Sequence, residues 1–110
     1  MARFEARTSA DAGRVIVALT GQCDLTVRDE LTATLLAAVD GGRPVFVDLA
    51  GVDFMDSSGI HSLVAAHHAA KEAGSRVYLV NAAGGVAALL DLTGVAALLS
   101  PPNGGPGTSA

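Results

Sequence analysis

Hydrophobic and polar positions alternate along this chain in blocks that predict strands and helices in turn. Val15-Ile16-Val17-Ala18-Leu19 is β-branched and continuously apolar, and the turn signal Asp11-Ala12-Gly13 precedes it. That predicts a buried strand, with Arg3 to Thr8 as its hairpin partner and Gly21 as its end. Thr26 is placed to cap a helix, with Asp29 three residues on in a relative of the capping box and Glu30 adding charge to the first turn. Leu31, Leu35, Leu36 and Val39 then recur at helical spacing until Gly41-Gly42 stops them. Pro44 to Leu49 predicts a second central strand. Ser57 or Ser58 opens a further helix, with Ile60, Leu63, Val64 and His67 on one face, Lys71 and Glu72 near its end and Gly74 as C-cap. Arg76 to Val80 predicts another strand. Gly84-Gly85 leads into a helix over Val86 to Leu92, Gly94 closes it, and Val95 to Leu99 is a short strand or helix. The unit from Pro44 to Asn81 is expected to be a right-handed crossover joining two parallel strands. The pattern as a whole predicts an α/β fold: a mixed sheet of four or five strands with helices packed on it.

Composition narrows the class. At 110 residues the chain makes one domain, expected over residues 1–99. Half the residues are apolar and only 16% are charged, below the roughly 25% of ordinary soluble domains, which leaves apolar surface for a partner. Ser100 to Ala110 holds three prolines, three glycines and no large apolar side chain, and is expected to be a flexible tail. The net charge is −4, and the seven basic residues (Arg3, Arg7, Arg14, Arg28, Arg43, Lys71, Arg76) are scattered, so no nucleic acid is expected as partner. The single cysteine, Cys23, excludes an internal disulfide and a cysteine-based metal cluster. Met1 to Gly13 lacks the apolar core of a signal peptide. The longest near-apolar run, Val86 to Leu99, is broken by Asp91, Thr93 and Gly94. A soluble cytoplasmic protein without membrane contact is the expectation.

The stretch Phe46-Val47-Asp48-Leu49-Ala50-Gly51-Val52-Asp53-Phe54-Met55-Asp56-Ser57-Ser58-Gly59-Ile60 carries the candidate chemistry. A strand runs into a turn that delivers two serines to a helix start, where unpaired N–H groups and the helix dipole favour an anion. A serine there is either a helix cap or a place where a phosphate can be added without disturbing the fold. Asp56 competes for the cap or contacts a partner, Asp24 is a turn residue, a cap or a functional carboxylate, and Gly59 permits close packing or the approach of a partner. His61, His67 and His68 lack metal-binding spacing, and no metal or other cofactor is expected. Catalysis with Ser57 as nucleophile and His61 as base is disfavoured, because the Gly-x-Ser-x-Gly elbow and a glycine-rich oxyanion loop are both missing. Gly84-Gly85 lacks the spacing of a phosphate loop. The chain is not expected to be an enzyme.

Taken together, Leu19-Thr20-Gly21-Gln22-Cys23-Asp24, Val47-Asp48-Leu49 with Phe54-Met55-Asp56-Ser57-Ser58-Gly59-Ile60, and Leu89-Leu90-Asp91-Leu92-Thr93-Gly94-Val95 resemble the STAS-domain anti-sigma-factor antagonists of bacteria. The likeness spans roughly Val15 to Leu99. It implies a single STAS domain in which Ser57 is phosphorylated by an anti-sigma factor that is itself a serine kinase. It also implies that the unphosphorylated form binds this anti-sigma factor and frees a sigma factor, that the phosphorylated form cannot bind, and that a PP2C-type phosphatase resets the switch. Asp24 matches the aspartate of the family's Gly-Glu-Leu-Asp turn, and Asp56, Ser58, Gly59 and His61 are expected to join it in partner binding. This chain departs from the pattern in having Gln22-Cys23 for Glu-Leu, His61 where many members have glycine, and few charges on its helix surface. The alternative is a STAS module that is never phosphorylated and serves as scaffold or accessory subunit in a stress-signalling or lipid-transport complex.

Overall fold

The hairpin expected at the N-terminus forms around Ala12 and Gly13, both with positive φ (52° and 79°), the combination of a type I′ turn. In a computed structural model of the chain, which describes residues 3–101, this turn joins strand β1 (Glu5–Asp11) to β2 (Arg14–Cys23). A 3₁₀ turn (Leu25–Val27) leads into helix α1 (Arg28–Val39), followed by β3 (Val45–Met55), α2 (Ser57–Glu72), β4 (Val77–Val80), α3 (Gly84–Leu92) and α4 (Val95–Leu98). The sheet has four strands in the order β1-β2-β3-β4; the first pair is antiparallel, and β2, β3 and β4 are parallel to one another. The tail expected over residues 100–110 falls outside the described residues beyond Pro101.

Burial follows the strand period of two. Val15, Val17 and Leu19 of β2, Val45, Val47 and Leu49 of β3, and Val77 and Leu79 of β4 are buried, and they meet Leu31, Leu35, Ala38 and Val39 of α1 and Leu63, Ala66 and Ala70 of α2. The alternate residues Ile16, Phe46 and Tyr78 are half-buried in register on the opposite face, where the Phe46 and Tyr78 rings lie 5.1 Å apart and the Arg14 guanidinium sits 5.2 Å over Phe46. Val86 and Leu90 of α3, Val95 and Leu99 complete the core, and Leu99 accepts a hydrogen bond from the Leu79 N–H at 3.0 Å. Helix α2 ends in a Schellman arrangement. Gly74 takes φ 76°, Ser75 N–H reaches the Ala70 carbonyl at 2.7 Å, and Gly74 N–H reaches that of Lys71 at 3.2 Å.

Four local expectations are corrected. Gly21 does not end β2: it takes φ 89° inside the strand, where a Cβ would run into the backbone of Arg3, and β2 continues to Cys23. Strand β3 does not stop at Leu49 but runs on to Met55, with register irregularities against β2 at Ala18/Thr20 and Gly21/Gln22. Thr26 is not the cap of the first helical segment; Asp24 is. Leu36 turns outward at 39% exposure, and Ala38 takes the core position on α1 in its place. No helix of the described residues is long and apolar enough to cross a membrane.

Candidate functional site

Strands β2 and β3 end side by side, Cys23 opposite Met55, and the Asp56 N–H donates to the Cys23 carbonyl at 3.3 Å. The next residue of each chain segment is an aspartate. Asp24 (φ −122°, ψ −173°) and Asp56 (φ −117°, ψ −168°) leave the sheet in nearly the same conformation, and each caps the helical segment after it. Asp24 Oδ1 accepts from the Thr26 N–H at 3.1 Å and from the Thr26 hydroxyl at 2.6 Å. Asp56 Oδ1 accepts from the Ser58 N–H at 2.8 Å. A short carboxylate suits this position because it both accepts from a free helix N–H and sits at the positive end of the dipole.

Because Asp56 fills the cap, neither serine does. Ser57 is the first residue of α2 and is exposed, its hydroxyl taking no part in the cap. Ser58 is half-buried; its N–H belongs to the cap and its carbonyl accepts from Ser62 Oγ at 3.3 Å. Ser62 itself is fully buried, pairs with Thr32 Oγ1 at 2.7 Å and reaches the Arg28 carbonyl at 3.4 Å, so a hydroxyl bridge ties α1 to the first turns of α2. Nothing in the hydropathy pattern marked Ser62, which occupies a core position as a polar residue.

Gly59 is buried, and a Cβ there would lie 2.7 Å from Met55 Cγ, 3.0 Å from the Cys23 carbonyl oxygen and 3.2 Å from Cys23 Cβ. Its place in the site is therefore to let α2 descend onto the ends of β2 and β3, the close packing that was one of the two roles expected of it. His61 is exposed one turn beyond Ser57, whereas His67 is buried. Asp24, Asp56, Ser57, Ser58 and Gly59 thus come together at the C-terminal ends of the two central strands, with His61 on the adjoining turn.

Electrostatics at these strand ends are acidic. The Cys23 thiol is pushed up to about 11, first by burial and then by the charges of Asp24 and Asp56, which bracket it. It is a neutral packing group at neutral pH. His67 is held below its ordinary value by burial, with His68, Lys71 and Arg76 adding to the effect. Among the described residues no group of three or more His, Cys, Asp or Glu is arranged to hold a metal ion. Large apolar side chains stand exposed on the same segments: Leu25 at 64%, Phe54 at 47% and Leu92 at 85%. Phe54 and Leu92 were not singled out from the sequence, although Leu92 lies off the buried Val86/Leu90 stripe of α3, which was a readable signal.

The model of the STAS domain family matches residues 3–103. The chain is similar in structure to an anti-sigma factor antagonist from Mycobacterium paratuberculosis (TM-score 0.76, 23% identity, covering 92% of this chain and 88% of that one). It is similar to the Bacillus cell fate determinant SpoIIAA in its phosphorylated form (TM-score 0.67, 18% identity, 90% and 89% covered). It is also similar to a sulfate transporter family protein from Wolinella succinogenes (TM-score 0.70, 18% identity, 84% and 75% covered). No curated protein matches the sequence significantly.

Proposed function

This chain belongs to the STAS domain family, and on that basis we propose that it is an anti-sigma-factor antagonist that switches partners through reversible phosphorylation of Ser57. The observation that carries the proposal is the exposed Ser57 at the first position of α2, free of the cap that Asp56 supplies. The likeness to SpoIIAA in its phosphorylated form supports it. In this reading Ser57 is an acceptor and not a catalyst. The partner is an anti-sigma factor with serine-kinase activity, a PP2C-type phosphatase restores the hydroxyl, and the exchange takes place in the cytoplasm. Asp24, Asp56, Ser58, Gly59 and His61 are the partner-binding residues of this reading.

The charge arithmetic favours a switch over a refolding event. A phosphate adds about −1.5 to −2 at pH 7, taking the formal charge from −4 to roughly −6. At the start of α2 the helix dipole offsets about 0.3–1 kcal/mol of the cost, so the domain keeps its fold. Enclosing that dianion beside Asp24 and Asp56 in an interface costs several kcal/mol when no cation meets it. Each 1.4 kcal/mol is a tenfold loss of affinity, so binding is lost while the structure stays.

The test is to incubate the protein with ATP and the histidine-kinase-like anti-sigma factors of its source organism, then weigh the intact chain. One added phosphate, absent in Ser57→Ala, is expected, with Ser57→Ala binding its partner and Ser57→Asp binding at least tenfold more weakly. No phosphate with any such kinase refutes the switch and leaves the unphosphorylated scaffold or accessory subunit.

A further inference from the structure

A single exposed leucine is ordinary on a protein surface, but two large apolar side chains opening onto one concavity are not. Phe54, the penultimate residue of β3, and Leu92, the last of α3, face a groove of about 380 Å³ lined also by Asp53, Met55, Val86 and Leu89. That volume lies at the lower end of the roughly 300–1,000 Å³ of cavities that enclose small ligands, and it suits one or two inserted side chains. The groove and the candidate site share the end of β3, where Phe54 and Met55 precede Asp56 and Ser57 in the chain.

The charged residue of its lining is acidic, Asp53. No Lys or Arg occurs from Pro44 to Ala70 or from Val77 to Pro101, the stretches that supply β3, most of α2, β4, α3 and α4. Asp53 lines the groove, Asp56 follows β3, and Asp91 adjoins Leu92. An apolar slot whose lining carries the Asp53 carboxylate and no cation complements an apolar side chain flanked by lysine or arginine.

We propose that the groove between the end of β3 and α3 is the anchor of the docking surface, taking a leucine- or phenylalanine-sized side chain from a basic segment of the partner. The identity of that partner with the kinase that modifies Ser57 rests on the function proposed above. The work divides accordingly. The groove supplies affinity through desolvated apolar contact, and Ser57 supplies control. The segment's positive charge is neutralised by Asp53 and Asp91, which leaves none to meet a phosphate on Ser57.

The experiment titrates the full, isotope-labelled chain with a short peptide bearing two leucines between arginines, and with the same peptide bearing glutamates instead. Amide shifts at Phe54, Leu89 and Leu92 are expected with the arginine peptide, at least tenfold weaker binding with the glutamate peptide, and loss of the shifts in Leu92→Asp. Leu92 is 85% exposed, so that variant keeps the fold. Shifts elsewhere, equal binding of both peptides, or unchanged binding by Leu92→Asp overturn the proposal. With a kinase in hand, Leu92→Asp should raise KM for phosphorylation of Ser57 at least tenfold and leave kcat unchanged. Phosphorylation with an unaltered KM removes the groove but keeps the Ser57 switch. Peptide binding in the groove without any phosphate on Ser57 keeps the groove and removes the switch.

Discussion

Replacing Gly59 by alanine tests whether this glycine is a packing requirement of the site. In an open helix the change stabilises by up to about 1 kcal/mol, because alanine has the higher helix propensity. At Gly59 the new methyl would stand 2.7 Å from Met55 Cγ and 3.0 Å from the Cys23 carbonyl oxygen, which belongs to the end of β2 and accepts the Asp56 N–H. The methionine side chain can turn aside; the strand backbone cannot do so without loosening the turn that holds Ser57. Overpacking of this kind costs about 1–3 kcal/mol, so with the propensity gain of about 1 kcal/mol set against it the net effect is a loss of up to roughly 2 kcal/mol. Gly85, in the first turn of α3, has nothing within 4 Å of its Cβ position and serves as the matched control. Urea denaturation followed by far-UV circular dichroism should put Gly59→Ala below the wild type and Gly85→Ala at or above it. Thermal melting should agree, since about 1 kcal/mol moves the midpoint by roughly 4–8 °C in a domain of this size. If Gly59→Ala proves as stable as Gly85→Ala, the steric argument fails.

Removing the α2 cap by Asp56→Ala should cost about 0.5–2 kcal/mol in the same urea assay, whereas Asp56→Asn should retain most of the stability because the amide oxygen still accepts from the Ser58 N–H. Burial holds His67 below its ordinary 6.5, so its neutral form stabilises the fold above pH 6.5, and that contribution is lost as the pH falls through the lowered value. His67→Gln, which cannot titrate, should flatten the decline in stability between pH 7 and pH 5, a difference that denaturation midpoints across that range would reveal. Cys23 is raised from 9.0 to about 11, so it contributes below pH 9 and loses roughly 2–3 kcal/mol of stabilisation as the pH climbs between those values. At pH 8 the native thiol should resist iodoacetamide and react only once urea opens the fold; rapid native alkylation would contradict its burial.

Much of the architecture was legible along the chain. The apolar runs at Val15–Leu19, Pro44–Leu49 and Arg76–Val80 marked the three parallel strands, because burial on the sheet leaves a continuous β-branched signature. Gly74 and Gly94 marked helix ends, and both take the positive φ that such ends need. Asp24 caps the 3₁₀ turn Leu25–Val27, and α1 follows it with Val27 at its N-cap and no side-chain cap. The side-chain cap was thus misplaced by two residues, since Thr26 and Asp24 are both good caps in isolation. Their rank was decided by where β2 stops.

That stopping point is itself tertiary. Glycine at position 21 is locally a terminator, and it became an interior residue of β2 because the backbone of Arg3 packs against it and β3 pairs beyond it. Likewise, residue types alone were enough to place an exposed serine at a helix start, because hydropathy and capping preferences act over three or four neighbouring residues. The approach of Asp24 to Asp56 across 32 positions and the choice of Asp56 over both serines as cap arose only when parallel pairing with irregular register brought Cys23 opposite Met55, and the groove at the end of β3 formed only when α3 packed against that strand. Local free energies select elements, whereas registry between distant strands selects which side chains meet.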